Sequence, residues 1–239
     1  MILPGSEPLA RSVASAIRSG DLDGLRALLA EHPDLATASI EFADAVRTLL
    51  HVATDWPGHF PNNADTVKLL IAAGADVDAR LRGPHSETPL HWAASSDDVA
   101  VIDALLDAGA HIDADGAVIA GGTALTDATA FAQWNAARRL IERGARSTLF
   151  ESAVMGLLDR VTAHLETAPA PPTSDVSWAL WGACHGGQKT VAEYLLDRGG
   201  DITWVAPWDG STPLDAALRN DHPALAEWLI TRGAEPSPP

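Results

Sequence analysis

The stretch Ser177-Trp178-Ala179-Leu180-Trp181-Gly182-Ala183-Cys184-His185 holds two indoles and an imidazole at intervals of three and four residues. On a helix that spacing puts Trp178, Trp181 and His185 along one face. Histidine titrates near pH 6.5, so beside an aromatic wall it suits proton transfer near neutrality. His91, Asp127, Glu151 and Asp215 are the other acid–base candidates, since apolar surroundings raise a carboxyl pKa. Trp204 and Trp208 flank Val205-Ala206-Pro207, Trp92 follows His91, and Trp56 follows Asp55. Apolar rings with a few polar groups are the usual lining of a site for an apolar small molecule or a peptide. If such a site were catalytic, its chemistry would be that of a lyase or cyclase without a cofactor: elimination of water, conjugate addition or ring closure.

Other chemistries are excluded or disfavoured. The sequence has no phosphate loop, no Gly-x-Ser-x-Gly elbow and no His-Glu-x-x-His. Ala120-Gly121-Gly122 follows no dinucleotide-binding strand and reads as turn chemistry. No metal is expected either, because His51 and His91 fall at the same place in adjacent repeats. Packed helices lie about 8–10 Å apart, too far for two such nitrogens to share a zinc. A formal charge of −16 repels phosphate backbones and anionic membranes. The single cysteine, Cys184, allows no internal disulfide and fits a reducing cytosol. The N-terminus lacks signal-peptide features, and no stretch approaches 18 uninterrupted apolar residues, so a cytoplasmic location is expected. Fourteen arginines against two lysines, with abundant alanine, suggest a GC-rich bacterial source.

The elements that must position these residues emerge from self-similarity. Thr48-Leu-Leu-His51-Val-Ala53, Thr88-Pro-Leu-His91-Trp-Ala93, Thr123-Ala-Leu-Thr126-Asp-Ala128 and Thr212-Pro-Leu-Asp215-Ala-Ala217 share one pattern. Gly109-Ala110, Gly144-Ala145 and Gly233-Ala234 follow 21 residues after three of these threonines. Threonine caps a helix, proline is tolerated in its first turn, and glycine supplies the left-handed residue that ends the next helix. Each helix pair is too thin to bury its own apolar face, so neighbours must stack.

The pattern resembles the ankyrin repeat. The resemblance implies an all-α solenoid of about seven helix-pair units with short hairpin loops, forming one domain over residues 1–239. The units run approximately over 9–42, 43–82, 83–117, 118–146, 147–172, 173–206 and 207–235, with 236–239 as a tail; the first, second and fifth are irregular. Recognition is expected before catalysis, because ankyrin scaffolds generally bind partners.

In this register the signature histidine position holds His51, His91, Thr126, Glu151, Trp181 and Asp215. His51 and His91 are expected to make structural bonds. Trp181 is expected to lose them, and Trp178 stands where the capping threonine would be. The register aligns Asp55, His91, Asp127, Glu151, His185 and Asp215 along one concave groove, interleaved with Trp56, Trp92, Trp178, Trp181, Trp204 and Trp208. Three readings follow: a recognition module for a peptide or apolar small molecule, a cofactor-free acid–base enzyme in the same groove, or a structural protein whose tryptophans only fill gaps. Long connections at 54–63, 79–87 and 114–122 point toward binding. The apolar tip Val118-Ile119 must pack on something to be tolerated.

Overall fold

The computed structural model describes residues 1–43 and 45–237. Its helices are α1 (Pro8–Ser19), α2 (Leu22–Glu31), α3 (Leu49–Thr54), α4 (Asn63–Ala72), α5 (Pro89–Ser95), α6 (Val99–Asp107), α7 (Ala124–Ala130), α8 (Trp134–Glu142), α9 (Leu149–Val154), α10 (Leu158–Glu166), α11 (Thr173–His185), α12 (Lys189–Leu196), α13 (Pro213–Arg219) and α14 (Pro223–Thr231). They follow one another as helix–turn–helix pairs, and the fold is that of an all-α ankyrin-repeat solenoid. The chain divides into two compact units, Met1–Ala145 and Arg146–Pro239, which hold α1–α8 and α9–α14 respectively.

One short sequence block builds each pair. The leucine two places after the threonine position is buried in Leu50, Leu90, Leu125, Leu180 and Leu214, each contributing about 1.5–3 kcal/mol. Inside the first unit, α3 packs on α5 and α5 on α7, while α4 packs on α6 and α6 on α8. The second unit repeats this with α9, α11 and α13 in one row and α10 beside α12. The second helices α4, α6, α8, α12 and α14 are followed by a left-handed glycine, as at Gly74 and Gly109, a conformation other residues adopt only at a cost. Arg139 on α8 and Arg143 just past its end pair with Asp103 of α6, tying neighbouring second helices together.

The sequence pattern does not foretell a small sheet in the first unit. β1 (Ile2–Pro4) pairs in parallel with β2 (Ser39–Glu41), which pairs antiparallel with β3 (Val46–Thr48). Leu3 and Ile40 lie buried beneath it. Strands of three residues are too short to show an alternating pattern. β3 runs straight into Thr48, the cap of α3.

In the second unit α11 is the longest helix, and its glycines set how close α9 comes. A Cβ at Gly182 would lie 2.7 Å from the Phe150 ring, and one at Gly186 would collide with the Val154 carbonyl oxygen. Gly182 and Gly186, the latter just past the end of α11, therefore leave a bare stripe one turn long against α9. Gly186→Ala is expected to destabilise the protein by about 3 kcal/mol, the upper end of overpacking costs, because backbone cannot step aside. Gly74→Ala, whose added Cβ meets nothing within 4 Å, should cost only the left-handed penalty of about 1–2 kcal/mol. Thermal melts of the two variants test the difference.

Candidate binding site

The site grows out of a repeated hydrogen-bond motif. In four of the pairs the threonine before the first helix and the residue three places later cap each other, as Thr88 with His91, Thr123 with Thr126, Thr148 with Glu151 and Thr212 with Asp215, and in a fifth Thr48 accepts from the His51 N–H and bonds the His51 ring. The histidines add a bond to the following repeat. His51 Nε2 donates to the Glu87 carbonyl at 3.1 Å and His91 Nε2 to the Gly122 carbonyl at 3.4 Å. Each acceptor immediately precedes the next capping threonine.

Trp181 corrects the expectation that a tryptophan forfeits these bonds. Its indole Nε1 donates to Ser211 Oγ at 3.1 Å, and Ser211 again immediately precedes the capping Thr212. The bond to the next repeat is thus kept and the bond back to the cap is lost. Trp178 is no substitute cap either. With nothing to stop the helix at that position, α11 runs back to Thr173, just after the Pro169–Pro172 break, and Trp178 lies within it.

The five residues read as an aromatic site converge in the second unit. Trp178 stacks on Phe150 at 4.7 Å, Trp181 stacks on His185 at 5.3 Å, and Trp208 meets Trp181 edge-on at 5.1 Å and Trp204 at 5.8 Å. Their roles differ. Trp181 is 6% exposed and His185 is buried, its Nδ1 accepting from the Asn220 amide at 2.9 Å. Trp204 is half-buried, whereas Trp178 and Trp208 are 41% and 53% exposed. The Ser211 hydroxyl donates to Asp209, whose other oxygen is paired with Arg219. Burial alone would push the Asp209 carboxyl up, but the bonds from Ser211 and Arg219 hold it below the usual range. This chain of bonds fixes the hairpin that carries Trp208.

The other candidates are engaged in the scaffold. Glu151 is buried as the reciprocal cap of α9. Asp215 caps α13 and accepts from the Ser237 amide; those bonds outweigh burial and lower its pKa. His51 and His91 are fully buried, and burial pushes both down to about 4. Asp55 is bound by Arg18 and Arg47, and Arg47 also lies over the Trp92 ring. Trp56 lies beyond the end of α3 rather than within it and is 81% exposed. Its connection is held down by His59, which bonds Ser96 and Asp98. His91 and Asp127 belong to the first unit, while Glu151, His185 and Asp215 belong to the second.

Asp127 was legible as a carboxylate but not as a buried one. The connection 114–122 brings its Ile119 N–H onto Asp127 Oδ1 at 3.3 Å, but the Val118 and Ile119 side chains stay exposed, contrary to the expectation that this apolar tip must pack. The other oxygen is buried without a partner. Burial, with the nearby Glu87 carboxylate adding to it, raises Asp127 to about 7. Among the described residues no three His, Cys, Asp or Glu side chains are grouped to hold a metal ion, and no helix is long and apolar enough to cross a membrane.

Comparison with known proteins places this framework. A family model for ankyrin repeats, in three copies, matches residues 50–151, and a single ankyrin-repeat model matches residues 209–238. The chain belongs to the ankyrin-repeat family. It is 30% identical over 186 residues to an ankyrin repeat and KH domain-containing protein of Caenorhabditis briggsae, covering 74% of this chain and 7% of that protein. It is 42% identical over 76 residues to fem-1 homolog A of Rattus norvegicus and of Homo sapiens, covering 28% of this chain and 11% of each. The chain thus spans about a tenth or less of these relatives. All are animal proteins and lend no support to a bacterial source. Residues 152–208 lie between the two matched ankyrin segments, and they hold Trp178, Trp181, His185, Trp204 and Trp208.

Two measurements test this geometry. Ser211→Ala strands the buried Trp181 N–H and should lower stability by about 1–3 kcal/mol, read from a denaturant melt. Asp127→Asn tests the buried carboxyl through the pH dependence of Tm. A raised pKa makes a stability contribution that is lost as pH climbs from about 4 to about 7. The variant's Tm relative to wild type should therefore rise across that window and level off above it. His51 and His91 act oppositely in both proteins, since their lowered pKa values cost stability as pH falls from 6.5 toward 4, so the difference between the two proteins isolates Asp127.

Proposed function

We propose that this chain is a protein-recognition module whose contact surface is the indole patch of the second unit. One observation carries the reading. Trp178 and Trp208 remain 41% and 53% exposed while being held by ring contacts to Phe150 and Trp181. Large rings fixed in place yet left in water are costly, and tryptophan is enriched where partners dock.

The ring spacing favours a peptide or protein over an enclosed apolar metabolite. Centroids 4.7–6.4 Å apart put neighbouring rings in contact, so no slot for a further ring opens between them. Partners would lie across the patch. Membership of the ankyrin family supports recognition in general, since the scaffold offers stacked surfaces rather than a catalytic motif. The proton-transfer alternative draws less support, because Glu151, Asp215 and His91 are engaged in capping bonds.

The test is selection of a displayed random dodecapeptide library on the full chain. Peptides enriched on the wild type should lose at least about tenfold in affinity, or 1.4 kcal/mol, on the Trp178→Ala/Trp208→Ala variant. Trp208→Ser alone, at the more exposed ring, should act in the same direction with the fold retained by circular dichroism. Equal binding to wild type and to both folded variants overturns the proposal.

A further inference from the structure

Several half-buried rings elsewhere in this protein are covered by a cation of the chain itself, although the exposed Trp56 and Phe131 are not. Arg47 lies 5.3 Å from the Trp92 centroid, Arg198 lies 3.9 Å from Tyr194, and Lys189 and Arg232 lie 5.6 and 4.8 Å from Trp228. Among the described residues none lies over Trp178, Trp204 or Trp208.

The local sequence explains the difference. Neither Thr173–Gln188 nor Gly199–Leu218 contains a lysine or arginine, although these segments supply the five aromatic and imidazole side chains of the site. They supply carboxylates instead. Asp175 sits one turn before Trp178 on the same face of α11, and both are exposed. Asp201 and Asp209 stand at the two ends of the hairpin bearing Trp204 and Trp208. Asp209 is paired with Arg219, but Asp201 holds only Thr203 and Asp175 only Ser174, both through Oδ1. The patch thus presents uncovered indole faces beside carboxylates directed to solvent.

We infer that the indole patch docks a basic segment of a partner protein, with an arginine side chain laid across Trp178 and Trp208 and its guanidinium bonded to Asp175 or Asp201. This rests on the recognition reading and adds the chemistry of the partner. Arginine fits better than lysine. Its planar guanidinium stacks on an indole while its edge still donates to a carboxylate, as Arg47 does toward Trp92 and Asp55 within this chain. A basic partner also complements a chain of net charge −16, which would draw it in at low salt.

The experiment uses the full chain and the same displayed dodecapeptide library. Arginine should be enriched among peptides whose binding depends on Trp178 and Trp208. Synthetic copies with citrulline for arginine, which keep the shape and lose the charge, should bind about tenfold more weakly. The Asp175→Asn/Asp201→Asn variant changes two exposed side chains, keeps their hydrogen-bond capacity and should weaken the arginine peptides alike. Added salt should weaken them further. Peptides that need the indoles but show no arginine preference, or that bind equally as citrulline copies, overturn this inference and leave the recognition reading standing. Failure to select any peptide dependent on the indoles overturns both.

Discussion

Helices of six or seven residues do not persist alone in water, because nucleation costs more than so few intrahelical bonds return. The reciprocal bond between a threonine and the side chain three residues on makes such short elements usable here. It satisfies amide groups at the start of α5, α7, α9 and α13, and a histidine in this position has its other ring nitrogen free to reach the next repeat. His51 and His91 reach it at the Glu87 and Gly122 carbonyls. The low pKa of these histidines follows from the same arrangement. Nδ1 must accept from the threonine and Nε2 must donate, so the ring is held neutral inside the stack.

The indole patch exists because one such contact was altered without breaking the stack. With Trp181 at the capping position the bond to the following repeat survives, and α11, uncapped at Trp178, extends backward by more than a turn. That extension brings Asp175 and Trp178 onto a helical face that the regular repeat does not have. The bare stripe of Gly182 and Gly186 lets α9 come close enough for Phe150 to support Trp178 from below. Recognition surface and scaffold are thus parts of one rearrangement.

Much of the framework was legible in the sequence. Threonine, leucine and glycine recur at spacings that only stacked helix pairs explain, and the crowding of tryptophan between residues 178 and 208 marked the departure. What could not be read depended on distant partners. The indole bond of Trp181 requires knowing that Ser211, thirty residues away, faces it. The burial of Asp127 requires knowing that the backbone of the 114–122 connection turns back to bond it. The carboxylates Glu151 and Asp215 looked like acid–base candidates because residue type says nothing about whether a hydrogen bond already claims them. The sheet of β1, β2 and β3 left no periodic trace at all.

The Trp181–Ser211 bond differs from its counterparts in one respect with a consequence for descent. His51 and His91 end on main-chain oxygens, which every amino acid provides, so drift at the receiving position leaves those joints intact. Trp181 ends on a hydroxyl that only particular residues carry. The two positions are therefore coupled: losing the serine strands a buried N–H, and placing histidine at the tryptophan position gives up the ring that supports Trp208. The joint beneath the patch can be abandoned in one step, whereas keeping it asks two separate sites to hold still.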